Sequence, residues 1–408
     1  MINLVLFKVY KFNFYRNFLS FNIFLYSKIK RFLKFIYKLI CIRLRKTVDI
    51  KKLVEKREVT QKLVFKGEVY ILPEKYDIDG RKFLYVPFGK YNVPDYHIYI
   101  LDNGLIKAGT NCIFSKNGRN ITGLNFQEMP FDFKIISNLK NIDIFFIDST
   151  VLVLGLGAIE NNYGHAWTEL AARAYAVKIS KINFEYLLID YKNKFTFEII
   201  KLLNLSDKKI IISSEHKYIQ AKQLIYPELI NNFKEYFLNG LYLYHRKYLP
   251  YWIKYLYQDV SDKLLSSNFV ACFEKIYISR RNKNIRNIIN EKELIITLKN
   301  LGFEIIHFED YSVSDQIKIT QSSNYIISLH GAGMINCNFC REGTKILELF
   351  PFYYQCGFAY MNANMFKLDY DYYIGDPVNK LWQERPIMES FNVNIEVIRK
   401  FLKAKWNI

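Results

Sequence analysis

The sequence predicts an α/β protein with two doubly wound lobes facing a cleft. Three observations carry that reading: strand and helix patterns alternate twice along the chain, the chain has 408 residues, and 50% of them are apolar. Single cores stop growing at about 250–300 residues, so two lobes are expected. The same composition excludes a disordered polyelectrolyte and a small disulfide-stapled domain.

The N-terminal segment, residues 1–46, holds eleven of the 58 lysines and arginines and none of the 39 acidic residues, which leaves +8 of the formal +19 for the rest. Ile29, Phe32, Leu33, Ile36 and Ile40 share one helical face, opposite Arg31, Lys34 and Lys38. The longest uncharged stretch, Asn17 to Ser27, is short of the roughly 20 residues that span a bilayer. No small-residue cleavage site follows it. The expectation is a basic amphipathic helix lying on an anionic membrane surface.

Residues 47–230 form the expected first lobe. Within it, 62–121 read as a small β-rich region, with Asp102-Asn103-Gly104 and Lys116-Asn117-Gly118 as hairpin turns. Residues 143–215 then alternate: a strand at Val151–Leu156, a helix over 163–179, a strand at Tyr186–Asp190, a helix at Phe195–Leu205, and a strand at Lys209–Ser213. That rhythm makes a parallel sheet with right-handed crossovers. Residues 216–272 are aromatic and read as mostly helical.

The second lobe, within residues 231–388, repeats the rhythm more cleanly. Strands are predicted at Lys275–Ser279, Phe303–Phe308, Tyr325–Leu329 and Lys345–Phe350, and helices at Glu291–Asn300 and Ser312–Ser323. A helical turn is read at Gly333–Cys340. Residues 389–408 carry a terminal helix, about Val393–Ala404, expected to cross back onto the first lobe. Ligands of such sheets sit at the carboxyl ends of the strands.

Three clusters at those ends carry candidate chemistry. His330-Gly331-Ala332-Gly333 follows the strand Tyr325–Leu329, where small residues admit a ligand and helix-start amides favour an anion. The glycine spacing is that of neither a dinucleotide fingerprint nor a P-loop. Arg280 follows the strand Lys275–Ser279 and suits a diphosphate. Glu348, inside an apolar strand, is an acid in need of a partner, such as a sugar hydroxyl. In the first lobe Asn162 is a helix N-cap, and His165, Glu169 and Arg173 follow at i, i+4 and i+8. A histidine backed by a carboxylate suits a general base, so His165 is the expected base with Glu169 orienting it or acting as base itself, and an ion-pair ladder is the competing reading.

Six cysteines make no disulfide framework, and Cys337-x-x-Cys340 lacks two nearby partners for a zinc site, so buried reduced thiols are expected. Asp369-Tyr370-Asp371 is the nearest approach to a metal-binding acidic pair.

Taken in order, Asn162-Tyr163-x-His165, Tyr277-Ile278-Ser279-Arg280, Arg286, Asn290-Glu291, Leu298, Gly302-Phe303-Glu304, Gln316, His330-Gly331-Ala332-Gly333, Asn336, Phe339 and Glu348-Leu349 resemble glycosyltransferase family 61. The resemblance covers about residues 95–355. It implies a GT-B fold and metal-independent, inverting transfer of a sugar from a nucleotide-sugar donor, UDP-linked, to a hydroxyl of a glycan or glycolipid acceptor. It places Arg280 on the diphosphate, the His330–Gly333 turn around nucleotide or phosphate, Glu348 on the ribose and His165 on the acceptor side, with Asn162, Arg173 and Asn336 as further substrate-binding residues. Met334-Ile335 and Ala166 depart from the usual pattern and touch selectivity. The family reading implies no cofactor, no nucleic acid, and surface-polysaccharide synthesis at the cytoplasmic face of a membrane. Rival readings are a basic membrane- or nucleic-acid-binding protein and a GT-B nucleotide-sugar epimerase.

Overall fold

The computed structural model describes residues 47–408 apart from 84–87, 110–111, 116–117, 125–142, 156–160, 191, 217, 231–232, 239–240, 247, 266–272, 281–285 and 379–388. The basic helix expected within residues 1–46 lies outside the described residues.

The chain first lays down β1 (Thr47–Asp49), β2 (Thr60–Phe65), β3 (Glu68–Leu72), β4 (Gly89–Val93), β5 (Tyr96–Asp102), β6 (Leu105–Lys107), β7 (Ile113–Phe114) and β8 (Asn120–Thr122). It continues with β9 (Phe145–Val153), β10 (Tyr186–Ile189), β11 (Lys209–Ile212), β12 (Tyr218–Pro227), β13 (Phe233–Leu238) and β14 (Leu241–Arg246). β1, β8, β7, β6, β12, β9, β10 and β11 lie side by side in that order, with β5 and β2 joined to the same mixed sheet through β12. β9, β10 and β11 are parallel, as the alternating pattern predicts. Val151, Leu152, Leu187 and Ile189 are wholly buried, the continuous apolar run that a doubly covered parallel strand requires.

Two expectations fail here. Residues 216–272 are not mostly helical: β12, β13 and β14 fill the first half, and the helix Ile253–Leu265 occupies the second. The reason lies in β12. Its bonds to β9, β5 and β6 give both edges a partner, and a short apolar run takes whichever structure satisfies its backbone. The Asp102-Asn103-Gly104 turn is not a hairpin either. β5 and β6 run on along the same edge of β12, and Asn103, at φ 52°, makes the step between them. β7 and β8 do pair antiparallel, with Gly118 at φ 71° between them. The β-rich region is thus continuous with the parallel unit through β12.

The second sheet is wholly parallel. β15 (Lys275–Ile278), β16 (Glu304–Ile306), β17 (Tyr325–Leu329), β18 (Lys345–Phe350) and β19 (Asp369–Ile374) lie in the order β16-β15-β17-β18-β19. The helix Glu291–Asn300, ended by Gly302 at φ 81°, covers one face. The helix Val313–Ser322, capped by Ser312, and the 3₁₀-helix Ala332–Phe339 cover the other. The terminal helix Ile395–Phe401 continues as Leu402–Trp406 and packs with Leu294, Leu298 and Tyr325. It therefore lies on the second sheet and does not cross to the first. Its buried stripe of Ile398, Leu402 and Trp406 matches that sheet's apolar face.

Residues 73–83, assigned by the sequence to the first lobe, reach the outer strand β19. Phe83 stacks on Tyr372 at 3.7 Å, and Asp77 accepts from the Ile374 amide at 3.0 Å. A shared core joins the sheets, where Trp167 meets Phe339 at 4.9 Å and Phe339 meets Tyr257 at 4.9 Å. Burying aromatic side chains of this size contributes about 1.5–3 kcal/mol each, which locks the two sheets' helices together.

Candidate functional site

The strand orders decide where ligands sit. In the second sheet β15 connects outward to β16, and the chain then returns to β17 on the other side of β15. In the first, β10 and β11 lie on one side of β9 and β12 on the other. Each reversal opens a crevice at the carboxyl ends of the flanking strands. The sequence clusters stand at those two places: Arg280 and His330 beyond β15 and β17, and Asn162 and His165 beyond β9.

The residues beyond β9 and those beyond β17 are in contact. A Cβ added to Gly164 would lie 3.7 Å from Ala332 Cα, so the helix start of one sheet abuts the small-residue turn of the other. The Tyr163 hydroxyl donates to Asn336 Oδ1 at 2.7 Å, and the Asn336 amide donates to Gln316 Oε1 at 2.9 Å. Gln316 then donates to the carbonyls of Phe308 and Tyr311. Asn336 is fully buried in this relay. It fixes the turn and does not reach substrate, which corrects its predicted role.

Around the second crevice the electrostatics favour an anion. His330 Nδ1 donates to Glu348 Oε1 at 2.6 Å, and the Tyr370 hydroxyl donates to Glu348 Oε2 at 2.5 Å. Glu348 is fully buried with both oxygens engaged, so it holds the His330 ring and has no oxygen facing a ribose. That too is a correction: an acid in a central strand found its partners inside the fold. Burial pushes the His330 imidazole below its ordinary value, the Glu348 carboxylate opposes that, and Arg286 and Arg280 nearby add to it. A neutral ring with Nδ1–H on Glu348 leaves Nε2 as an acceptor.

Arg280 lies along Gly331, whose missing Cβ would sit 3.7 Å from the guanidinium. Burial lowers the Arg280 pKa, and Arg286 lowers it further. Arg286 rests on the Tyr354 ring at 4.9 Å, and Tyr354 in turn packs on His330 at 5.5 Å. Arg280 Nη1 and Arg286 Nε are both buried and have no partner among the described residues. Glu309 offsets part of the repulsion between the two guanidinium groups, and the unmet buried donors remain costly. Gly331 has φ 174° and an added Cβ would meet only ordinary contact distances, so neither backbone nor packing demands glycine there.

In the first crevice the predicted N-cap is in place: Asn162 Oδ1 accepts from the amides of Gly164 and His165 at 2.9 and 3.3 Å. His165 is half-buried at the helix start. The i, i+4, i+8 face does not persist. Ala166–Ala171 is a π-helical turn, whose i→i+5 bonds rotate the helix Ala172–Ile179 relative to the turn Tyr163–His165. Glu169 is buried, and its Oε2 accepts from the Ile230 amide at 3.1 Å, which removes it from the base role. Arg173 is fully buried and donates to the carbonyls of Val153, Leu154 and Pro227. It ties together the carboxyl ends of β9 and β12 and does not touch substrate. Asp369 and Asp371 pair with Lys405, and Asp371 also with Lys75, so the acidic pair is spent on structure. Among the described residues no group of three or more metal-ligating side chains is found, and no helix is long and apolar enough to cross a membrane.

Sequence reasoning gave no site role to Tyr163, Tyr354 or Glu389. Glu389 is fully buried, Oε2 accepts from the Tyr353 amide at 2.5 Å, and burial raises its pKa to about 7. Its Oε1 finds no partner among the described residues. Neither a turn signal nor periodicity marked residue 389, because its partner, the 351–354 loop, is distant in sequence.

The family model for glycosyltransferase 61 matches residues 163–347, a span that holds both crevices. The resemblance read from the residues is thereby confirmed. Among curated proteins, human protein O-linked-mannose β-1,4-N-acetylglucosaminyltransferase 2 is 29% identical over 82 residues, 19% of this chain and 14% of that protein. The Xenopus laevis protein of the same name is 32% identical over 81 residues, again 19% and 14% of the two chains. The EGF domain-specific O-linked N-acetylglucosamine transferase of Bos taurus is 30% identical over 88 residues, 20% of this chain and 16% of that one. The matched stretch thus spans about one seventh of the length of these relatives. The dodecameric, iron-containing bacterial glycosyltransferase TibC of enterotoxigenic E. coli aligns over 72% of this chain and 78% of its own, at 10% identity and a TM-score of 0.28. A superposition that low carries no structural argument.

Proposed function

From the glycosyltransferase 61 signature over residues 163–347, we propose that this protein is a two-lobed, GT-B-type glycosyltransferase. It moves a sugar with inversion from a UDP-linked donor to a glycan hydroxyl. The observation that carries the reading is the pair of buried guanidinium nitrogens of Arg280 and Arg286, beside His330, that have no partner among the described residues. They lie at the point where a doubly wound sheet takes a nucleotide.

In this reading Arg280 and Arg286 take the diphosphate, with the amides that open the 3₁₀-helix after Gly331. As the bond to the anomeric carbon breaks, the leaving diphosphate gains charge, and donors already in place stabilise it at no cost of reorganisation. His330, neutral and fixed by Glu348, offers Nε2 to a donor hydroxyl. The acceptor enters from the Asn162–His165 side, where His165 takes the proton from the attacking hydroxyl. Attack from the face opposite the diphosphate inverts the anomeric centre. Residues 1–46 would hold the enzyme at an anionic, cytoplasmic membrane surface, where glycolipid acceptors for surface polysaccharide are presented.

The test is transfer to a glycan acceptor from a panel of nucleotide sugars, with His165→Ala and Arg280→Ala beside the wild type. The reading expects kcat to fall about 10²–10⁴-fold for His165→Ala, the usual worth of a positioned base, with little change in donor KM. Donor turnover that needs no acceptor would point to an epimerase instead.

A further inference from the structure

β13 and β14 form a hairpin that pairs with no other strand among the described residues. A two-stranded ribbon alone is marginal in water, so it calls for a partner. At its root the register sets Phe233 across from Arg246, Lys234 from His245 and Glu235 from Tyr244. At its tip Tyr236 lies across from Leu243, Phe237 from Tyr242 and Leu238 from Leu241. Every root pair thus contains a charged or titratable residue, and every tip pair is apolar or aromatic on both strands. A hairpin lying on its own protein separates polar from apolar between its two faces, at alternate positions. Here the separation runs along the length. Residues 236–244 hold no charge, while Lys234, Arg246 and Lys247 flank them against the single acid Glu235.

The chain beyond the root has matching chemistry. Tyr251 and Tyr255 are 39% and 49% exposed, and Lys254 Nζ lies 5.7 Å over the Tyr251 ring. That segment is fastened to β3: the Leu249 amide donates to the Tyr70 hydroxyl at 3.1 Å, and the Tyr251 amide donates to Glu68. β3 in turn leaves Val69 and Ile71 exposed. Exposed tyrosines beside a lysine suit a water–lipid boundary, because each ring is apolar with a polar end.

We infer that the tip of the β13–β14 hairpin enters the headgroup boundary of an anionic lipid bilayer, with its basic root at the level of the phosphates. Three residue pairs at about 3.3 Å per residue give an apolar end roughly 10 Å long, and interfacial segments reach a depth of about 5–10 Å. The hairpin does not span, since unpaired strand edges are not tolerated in the hydrocarbon core. A bilayer surrounds both faces of the tip at once, whereas a second copy of the chain packed on the hairpin covers one of them. The negative lipid surface also complements the charge of the root. This contact is separate from residues 1–46 and does not rest on the transferase reading.

The experiment is binding of the full chain to vesicles of phosphatidylcholine alone and of phosphatidylcholine with phosphatidylglycerol, read by sedimentation and fluorescence. Leu238→Trp reports on the tip as the difference from wild type. Its added emission should shift to shorter wavelength and be quenched by brominated acyl chains, a readout that residues 1–46 do not move. Leu241→Asp should weaken partition to the anionic vesicles about tenfold or more, with Tm and lipid-free UDP affinity unchanged. The inference is overturned if the chain binds neither vesicle, if the Leu238→Trp emission stays unquenched on bound chain, or if Leu241→Asp binds as well as wild type. A lipid-free dimer that is lost in Leu241→Asp, with the Leu238→Trp emission unquenched, overturns it in favour of a second copy. Quenching at the tip with no UDP binding at all would keep the hairpin's role and sink the transferase reading instead.

Discussion

Removing one oxygen, by Tyr163→Phe, tests how the two sheets are held in register. The Tyr163 hydroxyl is 2.7 Å from Asn336 Oδ1, and Asn336 is wholly buried. Its amide nitrogen is committed to Gln316, so the Oδ1 left behind has no replacement donor in the relay. A neutral hydrogen bond contributes about 1 kcal/mol net, and an acceptor stranded in the core adds about 1–3 kcal/mol. The expected loss is about 2 kcal/mol, which lowers Tm by about 2 °C in a chain of this size. Asn336→Leu should cost a similar amount, and the double variant should cost less than the sum of the two. Differential scanning calorimetry on the three variants reads this directly. A Tyr163→Phe protein that melts within half a degree of wild type (about 0.4 kcal/mol on the same scale) would show that the contact does not bear on the join between the sheets. Strict additivity of the two substitutions would show the same.

Glu348→Gln keeps the shape of the His330 partner but sets an amide against one of its two donors. Donor affinity should fall about tenfold, and the NMR titration of His330 should change, whereas an unchanged titration would mean that Glu348 does not govern the ring. Glu389 has a folded pKa raised from 4.5 to about 7, so the stability it contributes is full below pH 4.5 and is lost as pH rises to about 7. Glu389→Gln should flatten the Tm profile over that window, and an unchanged slope would refute the assignment. Gly331→Ala should leave Tm within about 1 °C, since the added carbon meets only van der Waals contacts, yet should weaken UDP binding. A large loss of stability would mean that the glycine serves the fold and not a ligand.

The second sheet was legible because its strands are short apolar runs closed by clear stops. Tyr325–Leu329 and Lys345–Phe350 are observed with the predicted ends, and the helix read at Ser312–Ser323 is observed at Val313–Ser322 with Ser312 as its cap. The first sheet was harder to read, because β12 draws its identity from β5, β6 and β9, all distant in sequence. The candidate site divides the same way. Local signals located Arg280, His330, Asn162 and His165 beyond strand ends, where the structure has them. Burial and hydrogen-bond partners were not legible. Glu169, Arg173, Asn336 and Glu348 have polar side chains that suit ligands, and each is satisfied inside the fold. A π-helical turn, invisible to a 3.6-residue period, undid the predicted helical face.

The most direct test of the central claim is calorimetric titration of UDP and UDP-sugars into the folded chain, beside Arg280→Ala and Arg286→Ala. Saturable binding, weakened about 10- to 100-fold by each substitution as the loss of a charged hydrogen bond requires, is the predicted result. No nucleotide binding to a folded sample, or binding indifferent to both arginines, would contradict it.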